Sequence, residues 1–171
     1  MSANNFANPV TEGGVTVKIE YEYSFGLPKK IVWKYIKDEK VLQNSLPGCK
    51  SFVEVSRGIY QAALDVKIGP LQDLFTLEIR IRDEKPPSFL LMQVKGKGNI
   101  GEFVGTADLF IKDYQGAAML IFKAEADAAG AIAMAGQEII NTAANKGLET
   151  FFQKAEKEIK KRLYHLKRGG R

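Results

Sequence analysis

Histidine and cysteine are nearly absent from these 171 residues, with one of each, His165 and Cys49. A lone cysteine excludes an internal disulfide, and neither a cysteine-based zinc site nor a histidine triad has the partners it needs. Cys49 follows a turn and leads into a strand, with no histidine near it in sequence to activate it; it reads as a structural thiol. His165, beside Tyr164 near the chain's end, reads as a surface residue. Low cysteine usage fits a reducing compartment, and a cytoplasmic location is expected. No basic-plus-apolar signal stands at the N-terminus. No run of about 18 apolar residues exists, so no membrane-crossing helix is expected. Carboxylates suited to acid–base work are missing from the apolar faces: Glu78, Glu102, Asp108, Glu125 and Asp127, and Asp65 between Leu64 and Val66, fall opposite the apolar alternation. Neither catalytic nor metal-ligating residues are expected.

A literal G-x-G-x-x-G, Gly96 to Gly101, is present but lacks its mechanism. A pyrophosphate site needs a helix N-terminus directly after the glycines, and here the following residues alternate as a strand. A glycine-rich hairpin turn is the reading. Excess positive charge is also local. Residues 154–171 carry eight Lys/Arg against two Asp/Glu, so the net charge of +5 belongs to the C-terminal segment and the remaining 153 residues sum to −1. A near-neutral body without a basic face of interleaved aromatics argues against nucleic-acid binding. The basic end is either a solvated helix terminus, where cations are favoured, or a surface for anionic lipid.

What is present is a regular succession of elements. Hydrophobic content of 45% and charged content of 26% are ordinary for a globular chain, and the length suits one domain. The expected layout is a flexible N-terminus over 1–14, one domain over 15–166 and a basic tail over 167–171. Val15 to Phe25 alternates with period two and predicts a strand, with Tyr21 and Tyr23 on its apolar side. Pro28 opens a short helix; Asp38 is the N-cap of a second, which Pro47-Gly48 ends. Strands follow at 51–55, 58–68, 75–81, 89–95, 102–112 and 117–128, separated by tight turns, so the sheet is antiparallel. From Gly130 to Leu166 the period changes to three or four, through Ile132, Gly136, Ile139, Ala143, Phe151, Ala155 and Ile159, which predicts one long amphipathic helix. Its first half is rich in Gly and Ala, leaving room for close packing or for something else.

Strand, two short helices, six strands and a long helix make an α+β chain with the order of the helix-grip fold: a curved antiparallel sheet of about seven strands around a C-terminal helix. Between sheet and helix an apolar cavity is expected, as ligand sites usually are. The residues expected to line it are Tyr21, Tyr23, Trp33, Leu46, Phe75, Leu77, Met92, Phe103 and Leu109, with Met134 and Ile139 facing them from the helix. A packed core is the competing reading for most of this set.

Particular residues resemble a known family. Trp33, Asp38, Leu42 and then Leu46-Pro47-Gly48-Cys49 are similar to the signature of the carbon monoxide dehydrogenase CoxG family, within the START-like, polyketide-cyclase-like superfamily. Ile68-Gly69-Pro70-Leu71 with Phe75, the glycines 96, 98 and 101, Gly130-Ala131-Ile132-Ala133 with Gly136, and Phe151-Phe152 match in order, over about residues 16–155. The resemblance implies a carrier or accessory protein with a hydrophobic cavity, holding a quinone or isoprenoid-like ligand and no tightly bound cofactor. It further implies service to a molybdenum hydroxylase or carbon monoxide dehydrogenase-type enzyme. An assembly or membrane-recruitment factor is the alternative, and a cyclase or aromatase a weaker one. Several family members carry a hydrophobic anchor beyond this point, whereas this chain closes on Lys167-Arg168-Gly169-Gly170-Arg171, so transient peripheral contact with an anionic membrane is expected instead.

Overall fold

In the computed structural model, residues 14–169 are described, with side chains as far as Lys167. The expected flexible N-terminus lies outside them except for its last residue, whereas the first three residues of the expected basic tail, Lys167 to Gly169, continue the last helix and only residues 170–171 lie outside. Strand β1 (Val15–Ser24) is followed by helices α1 (Lys29–Ile36) and α2 (Glu39–Ser45), then β2 (Cys49–Ser56), β3 (Ile59–Ile68), β4 (Leu71–Lys85), β5 (Phe89–Gly98), β6 (Gly101–Tyr114) and β7 (Ala117–Ala129). A short helix α3 (Ala131–Met134) and a long helix α4 (Gln137–Gly169) close the described chain. The seven strands form one antiparallel sheet in the order β1-β7-β6-β5-β4-β3-β2. Each consecutive pair from β2 to β7 is a hairpin, and β1 closes onto β7, so β1 and β2 are the edges.

Local chemistry accounts for the boundaries. Asp38 caps α2, its carboxylate accepting from the N–H groups of Lys40 and Val41 at 2.9 and 3.0 Å. Pro28 stands at the N-cap position of α1 rather than inside its first turn, with φ −64° and ψ 152°. The Gly96–Gly101 segment is a hairpin turn, because Gly98 and Gly101 pair directly and Asp73 accepts from the N–H groups of Asn99 and Ile100 at its tip. The expected single helix from Gly130 to Leu166 is instead two. Gly136, at φ +91°, takes a left-handed conformation that other residues rarely adopt, and the chain turns there between α3 and α4.

Inward alternation on the strands builds one apolar face. Because pairing is continuous, cross-strand rows can be followed across it. One row runs Tyr21, Phe122, Leu109, Leu90; another Ile19, Ala124, Ala107, Met92, Ile81; a third Val17, Ala126, Gly105, Val94, Ile79, Tyr60; a fourth Val15, Ala128, Phe103, Gly96, Leu77, Ala62. Glu78, Glu102, Asp108, Glu125 and Asp127 take the alternate positions, on the outward face, as expected. Helix α4 lies over the inward face. It leans mainly on edge strand β1 and on α2, and more lightly on β3.

Candidate ligand-binding site

Apolar packing on the inward face falls into three clusters. The largest joins α1, the β5–β7 strands and the second half of α4, with Phe25, Leu120, Phe152 and Ile159 at its centre. A second surrounds Phe52, Tyr60 and Ala62 under α2. A third surrounds Phe75, Ala128 and Ile132 at the opposite end, beneath α3. Between them lies the middle of the sheet, where Ile19, Val94, Ala124, Ala126 and Gly105 are only half-buried and belong to no cluster. Ile79, Ile81, Met92 and Phe103 border this gap and are half-buried as well. The facing stretch of α4 supplies Ile140, Ala144, Gly147 and Leu148, also half-buried. A Cβ placed on Gly147 would meet nothing within 4 Å. This stretch of the apolar face is thus only partly covered, a cleft where a fully packed protein would interdigitate large side chains.

The expected lining residues divide among these regions. Leu77, Met92 and Phe103 lie at the cleft, half-buried on the sheet. Phe103 folds its ring over Gly96, and a Cβ there would collide with the ring. Tyr21 and Tyr23 stand on edge strand β1 and stack on Phe152, with ring centroids 5.9 and 5.8 Å away. Trp33 packs against the largest cluster, with Lys37 Nζ 4.7 Å from its ring, and Leu46 packs on the second. Phe75 and Leu109 are buried packing residues, 0% and 5% exposed.

Two expectations are corrected. Met134 is 86% exposed and Ile139 45% exposed, so neither faces the sheet. The turn at Gly136 resets the helical phase, and the inward stripe of α4 begins at Ile140 rather than Ile139. Ile19, Ile79 and Ile81 were visible in the alternation but not singled out. Gly105, Ala124 and Ala126 gave no signal, because small residues contribute little apolar character to a period. Leu46-Pro47-Gly48-Cys49 forms the link from α2 to β2. Gly48 has φ +70°, and a Cβ on it would stand 2.5 Å from the Asp65 carbonyl, so the turn needs glycine there. Gly69, at φ +58°, and Pro70 form the β3–β4 turn against Ile139.

Polar groups at this face are few and most are engaged; among the described residues Asn145 Oδ1 on α4 and Ser45 Oγ on α2 are buried without a hydrogen-bond partner. Tyr23 donates to Glu156 Oε1 at 2.5 Å, the Gly26 N–H to Oε2 at 2.9 Å, and Lys160 Nζ stands 2.9 Å from Oε2. Burial alone would raise the Glu156 carboxyl; the bonds from Tyr23, Lys160 and Gly26 together hold it below its ordinary value. Burial and the same carboxylate push the Tyr23 hydroxyl well up. Cys49 is half-buried and its thiol is raised by burial, consistent with an unreactive thiol. Among the described residues no cluster of three His, Cys, Asp or Glu could hold a metal, and no helix is long and apolar enough to cross a membrane. A groove of about 780 Å³ lies on the outward face, where Glu78 stands opposite Lys95 and Lys97 opposite Glu102. It is open, and besides these charges its lining takes in Ala62, Leu77, Gly96 and Phe103, so it shares residues with the apolar cleft.

Residues 22–160 match the family model of CoxG, a carbon monoxide dehydrogenase component. No curated protein matches the chain significantly. Among solved structures, a "conserved protein" of Geobacillus kaustophilus is similar with a TM-score of 0.79 and 24% identity, over 86% of this chain and 96% of that one. The Zhui aromatase/cyclase of a Streptomyces species is similar with a TM-score of 0.63 and 11% identity, over 87% and 96%. A protein of unknown function from Staphylococcus aureus gives 0.66 and 12%, over 88% and 98%. At these identities the solved structures establish the fold alone.

Proposed function

Because the chain belongs to the carbon monoxide dehydrogenase CoxG family, we propose that it is a non-enzymatic carrier of a lipophilic ligand, a quinone or other isoprenoid-like molecule. The carrier would serve a molybdenum hydroxylase-type enzyme. One observation carries the reading: the apolar face is interrupted in its middle, where half-buried aliphatic residues and a floor of Gly and Ala face a Gly- and Ala-containing stretch of helix. A protein gains nothing in stability from leaving apolar surface half-covered. A ligand that completes the core gains about 0.8 kcal/mol per buried CH₂, so a long hydrocarbon tail needs few polar contacts. Scarcity of free polar groups on this face also sets a carrier apart from a cyclase, which must position and protonate its substrate.

Mass spectrometry of an organic extract of the purified protein tests the reading, with total lipid of the same quinone-containing host as control. A selectively enriched, near-stoichiometric quinone or isoprenoid is expected. An empty extract, with Trp33 fluorescence unmoved by added quinones and a stoichiometric enzyme component retained instead, would replace the carrier with an assembly factor. Leu77→Arg places an unpaired charge at the cleft and is expected to abolish ligand uptake. A folded Leu77→Arg protein that still binds would remove Leu77 from the site.

A further inference from the structure

Two asparagines stand on the inward side of α4, beside the cleft. Asn141, Asn145, Leu148 and Phe152 follow one another at steps of four, three and four, so they share one side of the helix. Phe152 is buried in the largest cluster and Leu148 packs against that cluster, which fixes this side as the one turned toward the sheet. Asn141 donates from Nδ2 to the backbone carbonyl of Lys18 on β1 at 3.1 Å. Asn145 donates from Nδ2 to Asn141 Oδ1, also at 3.1 Å. Asn145 Oδ1 ends the row, buried and accepting from nothing among the described residues.

The direction of this row is fixed by its anchor. A backbone carbonyl can only accept, so Asn141 must turn its amide nitrogen to Lys18 and its oxygen to Asn145. Asn145 must then turn its own nitrogen to Asn141, and the group left over is an acceptor. Turning over either amide would set oxygen against oxygen. An amide oxygen buried without a partner costs stability, and such groups are rare in folded proteins. This one lies among Ala144, Gly147 and Leu148, the half-buried stretch of α4 that borders the cleft.

Given the carrier reading above, we infer that Asn145 Oδ1 is the polar contact of the cleft and selects a lipophilic ligand whose head carries a hydroxyl donor. A quinol or an isoprenoid alcohol meets that requirement; a quinone or an ether, with acceptors alone, does not. The hydroxyl exchanges a bond to water for one to Oδ1, and the orphaned acceptor gains its partner. A carbonyl or ether oxygen in the same place would set its lone pairs against those of Oδ1. Because Oδ1 is covered, the head reaches it as the ligand parts helix from sheet. The stretch around Asn145 is the half-covered part of α4, whereas Phe152, Ala155 and Ile159 hold the rest of the helix in the core.

Isothermal titration of the full chain tests it with two matched pairs: farnesol against its methyl ether, and, without oxygen, decylubiquinol against decylubiquinone. The donor of a pair should bind at least about fivefold more tightly than its partner. Asn145→Leu, similar in volume, should lower the donor's affinity to that of its partner and leave the partner's own affinity within about twofold; Asn145→Ala serves if that variant does not fold. Asn44→Leu, which removes an exposed asparagine on α2 bonded to Glu158, should keep the preference. A preference in one pair alone supports the inference and tells alcohol from quinol. Equal affinities within both pairs, tighter binding of the ether and the quinone, or a preference that survives the loss of Asn145 would overturn the inference and leave the carrier reading standing. Binding of no member of either pair would overturn both.

Discussion

Glu156 ties three separate pieces of chain together: β1 through the Tyr23 hydroxyl, the β1–α1 connection through the Gly26 N–H, and its own helix through Lys160. Its side chain is 16% exposed, so these bonds are largely shielded from water. Glu156→Gln is expected to lower stability at neutral pH by about 1–2 kcal/mol. Its pH dependence follows from the sign of the shift. Glu156 is held below its ordinary value of 4.5, so its contribution is complete above that pH and is lost as pH falls through the lower, folded-state value. The difference between wild type and Glu156→Gln should therefore shrink in urea unfolding below about pH 4.5; a constant difference would show that the carboxylate's charge is not what matters. Tyr23 could be read from the sequence as an inward hydroxyl in need of a partner. Which partner could not, since nothing local relates positions 133 residues apart.

Helix α4 is unevenly anchored along its length. Phe152, Ala155 and Ile159 are buried in the largest cluster, 2%, 0% and 0% exposed, while Ile140, Ala144 and Leu148 are half-buried over the cleft. Phe152→Ala should cost about 3–5 kcal/mol. Leu148→Ala, which removes contacts from a side already open, should cost about 1–2 kcal/mol. Amide hydrogen exchange should likewise be faster over 140–148 than over 152–163; uniform protection along α4 would contradict this division. The helix was legible from its period of three to four, and so was its content of small residues. The break at Gly136 was not, because glycine inside an apolar period reads equally well as a site of close packing. Carrying one phase through it put Met134 and Ile139 on the wrong side.

For the molecule as a whole, an apolar core divided into three leaves stability to be gained by filling the space between. Ala126 sits in the middle row, opposite Gly105 and Val17, and is half-buried. Ala126→Leu should occupy the cleft, leave thermal stability unchanged or raised by up to about 1–2 kcal/mol, and reduce ligand uptake at least tenfold. In a packed core the same change would instead destabilise by about 1–3 kcal/mol, so calorimetry on this one variant separates a cleft from a core. A ligand that binds only the folded state should also raise the melting temperature with concentration, equivalent to about 2.7 kcal/mol at a hundredfold excess over Kd.

Strand and helix order, the antiparallel sheet, the cap at Asp38, the outward carboxylates and the family signature at Leu46-Pro47-Gly48-Cys49 were all determined by the sequence. Each rests on periodicity or on chemistry among near neighbours in the chain. Tertiary structure alone decided where the inward face is packed and where it is open. It also decided which carboxylate Tyr23 meets. Those outcomes depend on how a sheet of seven strands curves against one helix, and on the phase at which that helix restarts after Gly136. Alternation places Ile19, Leu77 and Phe75 on the same face, but only the distance between sheet and helix makes Phe75 a buried core residue and leaves Ile19 and Leu77 half-covered.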